Sequence, residues 1–131
     1  MQDATRLVAG IGVTSDATVE EVERLVDQAL AEAAHPWTEL KVIATLDTRC
    51  GHPALVSFAG RHHMTLCGLT STALAEVAVP TPSTAVATHA GTGSVAEAAA
   101  LLASRASQLL LTKRASAHAT VALAIIFEGV P

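Results

Sequence analysis

Gly91-Thr92-Gly93-Ser94-Val95-Ala96-Glu97, running into the apolar residues 98–103, is the stretch that decides the fold. It reads as a glycine-rich loop turning abruptly into a helix. A Ser94 hydroxyl at the N-cap accepts from the backbone N–H three residues on, and Glu97 at that position reaches back to the cap, the reciprocal pattern of a capping box. A second copy of this arrangement lies near the start, where Gly10-Ile11-Gly12 precedes Thr18-Val19-Glu20-Glu21, with Thr18 and Glu21 as the pair. Two glycine-rich strand-to-helix turns are the mark of an α/β sheet, and such turns gather on the edge where ligands bind. Spacing alone also allows both to be no more than well-capped helix starts.

The segments around these turns alternate between strand and helix. Residues 6–13 are apolar and bounded by glycine, which predicts a buried strand. Val19, Val22, Leu25, Val26, Ala29, Leu30 and Ala33 recur at helical spacing over 18–34, and His35-Pro36 closes that helix. A second strand is expected over 41–46, ending at Asp47. A short helix over 53–60 with Pro53 in its first turn, a strand over 64–69 and a turn or two of helix over 70–76 follow. Residues 77–89, with Pro80 and Pro82, read as a surface loop or extended edge. A helix over 95–103, a strand over 108–112, a polar connection over 113–117 and a strand over 119–127 complete the chain. Strands this apolar need helices on both faces, so the expected architecture is a three-layer α/β/α sandwich around a mixed, mostly parallel sheet of about five strands. The connection between the last two strands is too short for a parallel crossover, so they form an antiparallel hairpin or edge.

Composition sets the class. The 131 residues, 50% of them hydrophobic, suit one domain spanning 1–131 with a core of its own. Trp37, Phe58 and Phe127 are the only aromatics besides histidine, so the core rests on Ala, Val, Leu and Ile, and platforms for stacking nucleic-acid bases are scarce. Mean hydropathy is +0.44, yet no apolar run approaches the roughly 18 residues of a membrane span. The start, Met1-Gln2-Asp3-Ala4, carries no export pattern, and a cytoplasmic protein is expected. Cys50 and Cys67 are too few and too far apart for a zinc ribbon or CxxC motif, and read as reduced thiols.

The net charge of -4 is unevenly spread. Residues 1–39 hold eight acids and two arginines, whereas residues 40–131 hold four acids and six basic residues. The acidity therefore belongs to the first helix and its solvated face, leaving the remainder able to receive an anionic small molecule. The basic stripe that duplex nucleic acid requires is missing.

Several residues can carry chemistry. Asp47, at the exit of Val42-Ile43-Ala44-Thr45-Leu46, can orient a substrate or act as a base, or else cap the next turn; Thr45 alternates with it on one side of the strand. Lys113 and Arg114 are placed just past a strand, where a lysine can anchor an anion. The histidines His35, His52, His62, His63, His89 and His118 form no HExxH or Cys-paired pattern, and no metal site or cofactor is expected. No G-x-S-x-G elbow occurs, and neither glycine pair completes a dinucleotide fingerprint.

Taken together, Gly10-Ile11-Gly12 before an acidic helix, Ile43-Ala44-Thr45-Leu46-Asp47, the run Gly91-Thr-Gly-Ser-Val-Ala-Glu-Ala-Ala-Ala-Leu-Leu, Leu-Leu-Leu-Thr-Lys113 and Ala119-Thr120-Val121-Ala122 resemble the CobE family, stand-alone relatives of the C-terminal domain of CbiG in cobalamin biosynthesis. The resemblance spans nearly the whole chain in the same order. It implies a cytoplasmic role in making the corrin ring, with a precorrin or other corrinoid intermediate as ligand and other cobalamin-pathway enzymes as further partners. CbiG proteins open a lactone on a cobalt-precorrin, but this chain resembles their C-terminal part alone. Residues 48–52, Thr-Arg-Cys-Gly-His, depart from the lysine and acid usual there. Two functions follow as expectations. The first is a carrier whose ligand-binding residues are Gly10, Gly12, Thr45, Asp47, His89, Gly91, Gly93, Ser94 and Lys113, with Arg49 as a further cation for the macrocycle's carboxylates. The second is an enzyme acting on the same macrocycle with Asp47 or Glu97 as base.

Overall fold

In the computed structural model, residues 5–77 and 92–126 are described, with the backbone alone for residues 92–94. The strand Leu7–Val13 (β1) is buried at every position, and burial on both faces demands cover on both sides of the sheet. β1 pairs in parallel with Leu40–Leu46 (β2), which pairs in parallel with Thr65–Leu69 (β3). On its other side β1 pairs antiparallel with Ala119–Ile125 (β5), which pairs antiparallel with Leu111–Ala115 (β4). The sheet order is β3-β2-β1-β5-β4, five strands, mixed as expected.

Alternation along each strand sorts side chains into two cores. Leu7, Ala9, Ile11 and Val13 of β1, Ile43 of β2 and Val121 and Leu123 of β5 face one layer, made by the helix Val19–Ala33 (α1) and the helix Pro53–His62 (α2). Val8, Ala44, Ala122 and Ala124 face the other layer, formed by the helix Thr92–Ser104 (α4), with the short helix Ser71–Ala75 (α3) beside it. Thr18 caps α1 by accepting from the Glu21 N–H at 3.1 Å. Its other end is set one residue before His35-Pro36, by Ala34 in the left-handed region at φ 62°.

The second layer sits unusually close to the sheet. A Cβ on Gly10 would lie 1.9 Å from the Ala96 carbonyl oxygen and 2.6 Å from the Ala100 nitrogen, so glycine on the strand and alanines on the helix let the two backbones touch. β4 begins six residues after α4 and pairs Leu111 with Leu123, which pairs with Ala9. The C-terminal end of α4 is thereby tied to the lower part of β1, and its first turn points toward Gly12 and the C-terminal edge of the parallel strands.

Two elements are displaced from the sequence reading by three residues, the others by two at most. The last helix begins at Thr92, so Ser94 lies inside it and is not the N-cap. β4 is displaced three residues, to Leu111–Ala115, and carries Lys113 and Arg114 within it. Apolarity marked burial there more than the strand's extent: Leu110 packs on the first core and its N–H donates to the Leu123 carbonyl at 2.8 Å, whereas the regular strand runs on through the charged pair at the edge, where Arg114 Nε donates to Glu32 Oε1 at 2.7 Å.

Candidate functional site

β1 ends at Val13, and Val13 pairs with Ala119, so the turn between β4 and β5 stands on the same edge as the exits of β1, β2 and β3 and the first turn of α4. A hydrogen bond from the Thr14 N–H to the His118 carbonyl, 2.9 Å, joins the β1 exit to that turn. Gly12, Val13, Thr14 and residues 116–120 enclose a concavity of about 130 Å³ here. The Thr120 hydroxyl, on the α4 face of β5, is buried and has no hydrogen-bond partner among the described residues.

The most organised polar group on this edge joins α1 to the β4–β5 turn. The Glu21 carboxylate accepts from the Ser116 hydroxyl, from the His118 N–H at 2.7 Å, and from the His118 ring Nδ1 at 3.2 Å. The Ser116 bond first, and then the His118 N–H, hold Glu21 below its ordinary carboxylate pKa in spite of its burial. A carboxylate can only accept, so the ring nitrogen that faces it, Nδ1 of His118, is the donor. The other half of the expected Thr18/Glu21 box gives way to this bond across the fold.

His52 is held differently. Its Nδ1 accepts from the Ala54 N–H at 3.1 Å while Nε2 lies 2.9 Å from the Thr14 carbonyl, so both ring nitrogens are used to tie the β2 exit to the β1 exit. The turn before it, Asp47–Arg49, folds over Gly68, where a Cβ would lie 2.5 Å from Cys50 Sγ and 3.2 Å from Asp47 Cα. Burial, with the neighbouring Cys67 and Asp47, pushes the Cys50 thiol up, and it stays protonated at neutral pH.

The expected site residues separate into groups. Gly12, Asp47 and the first turn of α4, with the backbone of Gly93 and Ser94, share the C-terminal edge, and Asp47 is exposed. Thr45 is buried, and its hydroxyl donates to the Ile11 carbonyl at 2.6 Å, so it secures β2 to β1 instead of facing a cleft. Gly10 is taken up by the contact with α4. Glu97 is fully buried, one carboxylate oxygen accepting from the Lys113 N–H at 2.9 Å; a carboxylate so enclosed pins α4 to β4 and is not placed to act as a surface base. Lys113 stands inside β4, not beyond its end. His89 and Gly91 lie outside the described residues. Among the described residues no group of three or more His, Cys, Asp or Glu side chains is placed to hold a metal ion, and no helix is long and apolar enough to cross a membrane.

The sequence reading missed Glu21, Ser116 and His118. Glu21 and His118 are 97 positions apart, and only the β1–β5 register brings them together.

The chain is 37% identical over 122 residues to Protein CobE of a Sinorhizobium species, covering 90% of this chain and 79% of that protein. It is 26% identical over 120 residues to a cobalt-precorrin-5A hydrolase of Priestia megaterium, of which it spans 32%. Among solved structures, that of CobE, a protein from the cobalamin (vitamin B12) biosynthetic pathway, superposes with a TM-score of 0.84 at 30% identity, covering 97% of this chain and 94% of that one. Cobalamin biosynthesis protein chiG from Agrobacterium tumefaciens superposes with a TM-score of 0.70 at 26% identity, covering 94% and 99%. The family model for the cobalamin synthesis G C-terminus matches residues 7–124, and the chain belongs to that family of cobalamin biosynthesis proteins.

Proposed function

We propose that this protein binds and carries a corrinoid intermediate, of the precorrin or hydrogenobyrinic acid type, in the cytoplasm, at the C-terminal edge of its sheet. The observation that carries this reading is the composition of that edge: a concavity beside Gly12, the oriented His118, and the exposed Asp47 turn with its Arg49, all at the end toward which α4 presents its first turn. Backbone N–H groups at a helix start and cationic side chains suit a macrocycle fringed with carboxylates. Membership in the family supplies the pathway, and the concavity is a foothold beneath a ligand larger than itself. Titration of the purified protein with hydrogenobyrinic acid, followed by absorption spectra and mass analysis, tests the reading. Saturable binding at one equivalent with unchanged ligand mass is the expected result; no spectral change at any ratio overturns it.

A second reading, lactone opening on the same macrocycle, is favoured by the relationship to the cobalt-precorrin-5A hydrolase. With a lactone-bearing cobalt-precorrin in place of hydrogenobyrinic acid, it would appear as a mass change with catalytic turnover.

A further inference from the structure

We infer that His118 is an axial ligand, through Nε2, for the metal of a metal-bearing corrinoid held at this edge; the inference rests on the corrinoid-binding reading above and names the form of the ligand.

The tautomer comes first. Nδ1 faces the Glu21 carboxylate at 3.2 Å, and a carboxylate can only accept, so Nδ1 is the donor and Nε2 is the nitrogen left to coordinate, the arrangement that carboxylates impose on metal-binding histidines. Orientation is fixed as well. The same carboxylate accepts from the Ser116 hydroxyl and the His118 N–H, so ring, turn and α1 move as one unit. The His118 side chain is 43% exposed, on the lining of the Gly12–Thr120 concavity, and no described residue is bonded to Nε2.

Other histidines show the contrast. His62 also meets a carboxylate, Glu23, at 3.0 Å, but it is stacked on Trp37 at a centroid distance of 4.7 Å and packed between α1 and α2, on a helical layer. His35 pairs with Glu39 at the start of β2, the opposite edge of the sheet. His52 has both ring nitrogens engaged. Among the described residues, His118 combines an oriented ring, an available nitrogen and a place on the candidate edge.

A single imidazole is a poor site for a free metal ion, and among the described residues no ligand cluster surrounds His118. It is sufficient for a metal whose equatorial positions are already filled by a macrocycle, since one axial donor then gives a five-coordinate Co(II). The donor set therefore points to a metal carried in by its ligand.

The test uses the full chain, cobinamide as a cobalt corrinoid without a base of its own, and hydrogenobyrinic acid as a metal-free corrinoid. In the Co(II) state an axial imidazole splits each high-field cobalt line of the electron paramagnetic resonance spectrum into three. The parent protein should show this triplet, and His118→Ala should lose it. Cobinamide affinity should fall by about tenfold or more in His118→Ala, and measurably in Glu21→Gln, a larger loss in each variant than the one seen with hydrogenobyrinic acid. Far-ultraviolet circular dichroism certifies that the variants are folded. Cobinamide binding without nitrogen splitting, or a triplet that survives His118→Ala, overturns the inference and leaves the carrier reading standing. Failure of the parent to bind either corrinoid overturns both.

Discussion

Glu21 illustrates how one carboxylate can be claimed by tertiary structure. In the first turn of α1 it sits where a negative charge favours the helix start, yet its oxygens are given to Ser116 and His118 across the sheet edge. Its pKa is lowered from 4.5, so its contribution to stability is fully present above the ordinary carboxylate range and is lost as pH falls through the lower folded-state value. Glu21→Gln should therefore flatten the acid limb of the stability curve. Thermal midpoints of parent and variant from about pH 6 down to about pH 3 should converge as the parent loses this term; a parallel decline would disprove the assignment. The Thr18 cap and the acid were legible in the sequence. Their use was not, because a capping box and a long-range tether present the same local residues, and strand register alone tells them apart.

At the scale of elements, the helix–sheet contact through Gly10 yields the sharpest expectation. Gly10→Ala places a methyl group 1.9 Å from the Ala96 carbonyl oxygen, where helix backbone and not a flexible side chain must move. Overpacking of this kind costs about 1–3 kcal/mol or more. Chemical denaturation should show at least that loss, whereas Gly60→Ala, with open space around its Cβ and a place in α2, should be neutral or stabilising. The alternation of strands and helices was readable because fully apolar strands have few other solutions. The position of β4 was not, since an edge strand can be charged and still be paired. That displacement also changes what Lys113 can do. It sits within the strand with its N–H held by Glu97, while its neighbour Arg114 is held by Glu32. If the Lys113 ammonium reaches the corrinoid, Lys113→Ala should weaken binding by about tenfold with a strong salt dependence, and Arg114→Ala should not; equal affinities for parent and Lys113→Ala would remove it from the site.

For the whole molecule, ligand binding and stability are linked. A corrinoid that binds the folded protein alone stabilises it by about 2.7 kcal/mol at a hundredfold excess over Kd, a rise in Tm of roughly 10 °C for a chain of this size. Differential scanning measurements over a range of hydrogenobyrinic acid concentrations should show that logarithmic rise, and a Tm independent of ligand would contradict binding. The architecture that brings the site together has a further consequence at β4. This strand ends the sheet, where a bare row of backbone donors and acceptors would template pairing with another chain. Its ladder is interrupted between Leu111 and Arg114, the Lys113 N–H is occupied by a buried carboxylate, and charged side chains line it. These features guard that border against strand addition, and among the described residues they leave Thr65–Leu69 as the border from which fibril-like growth is expected.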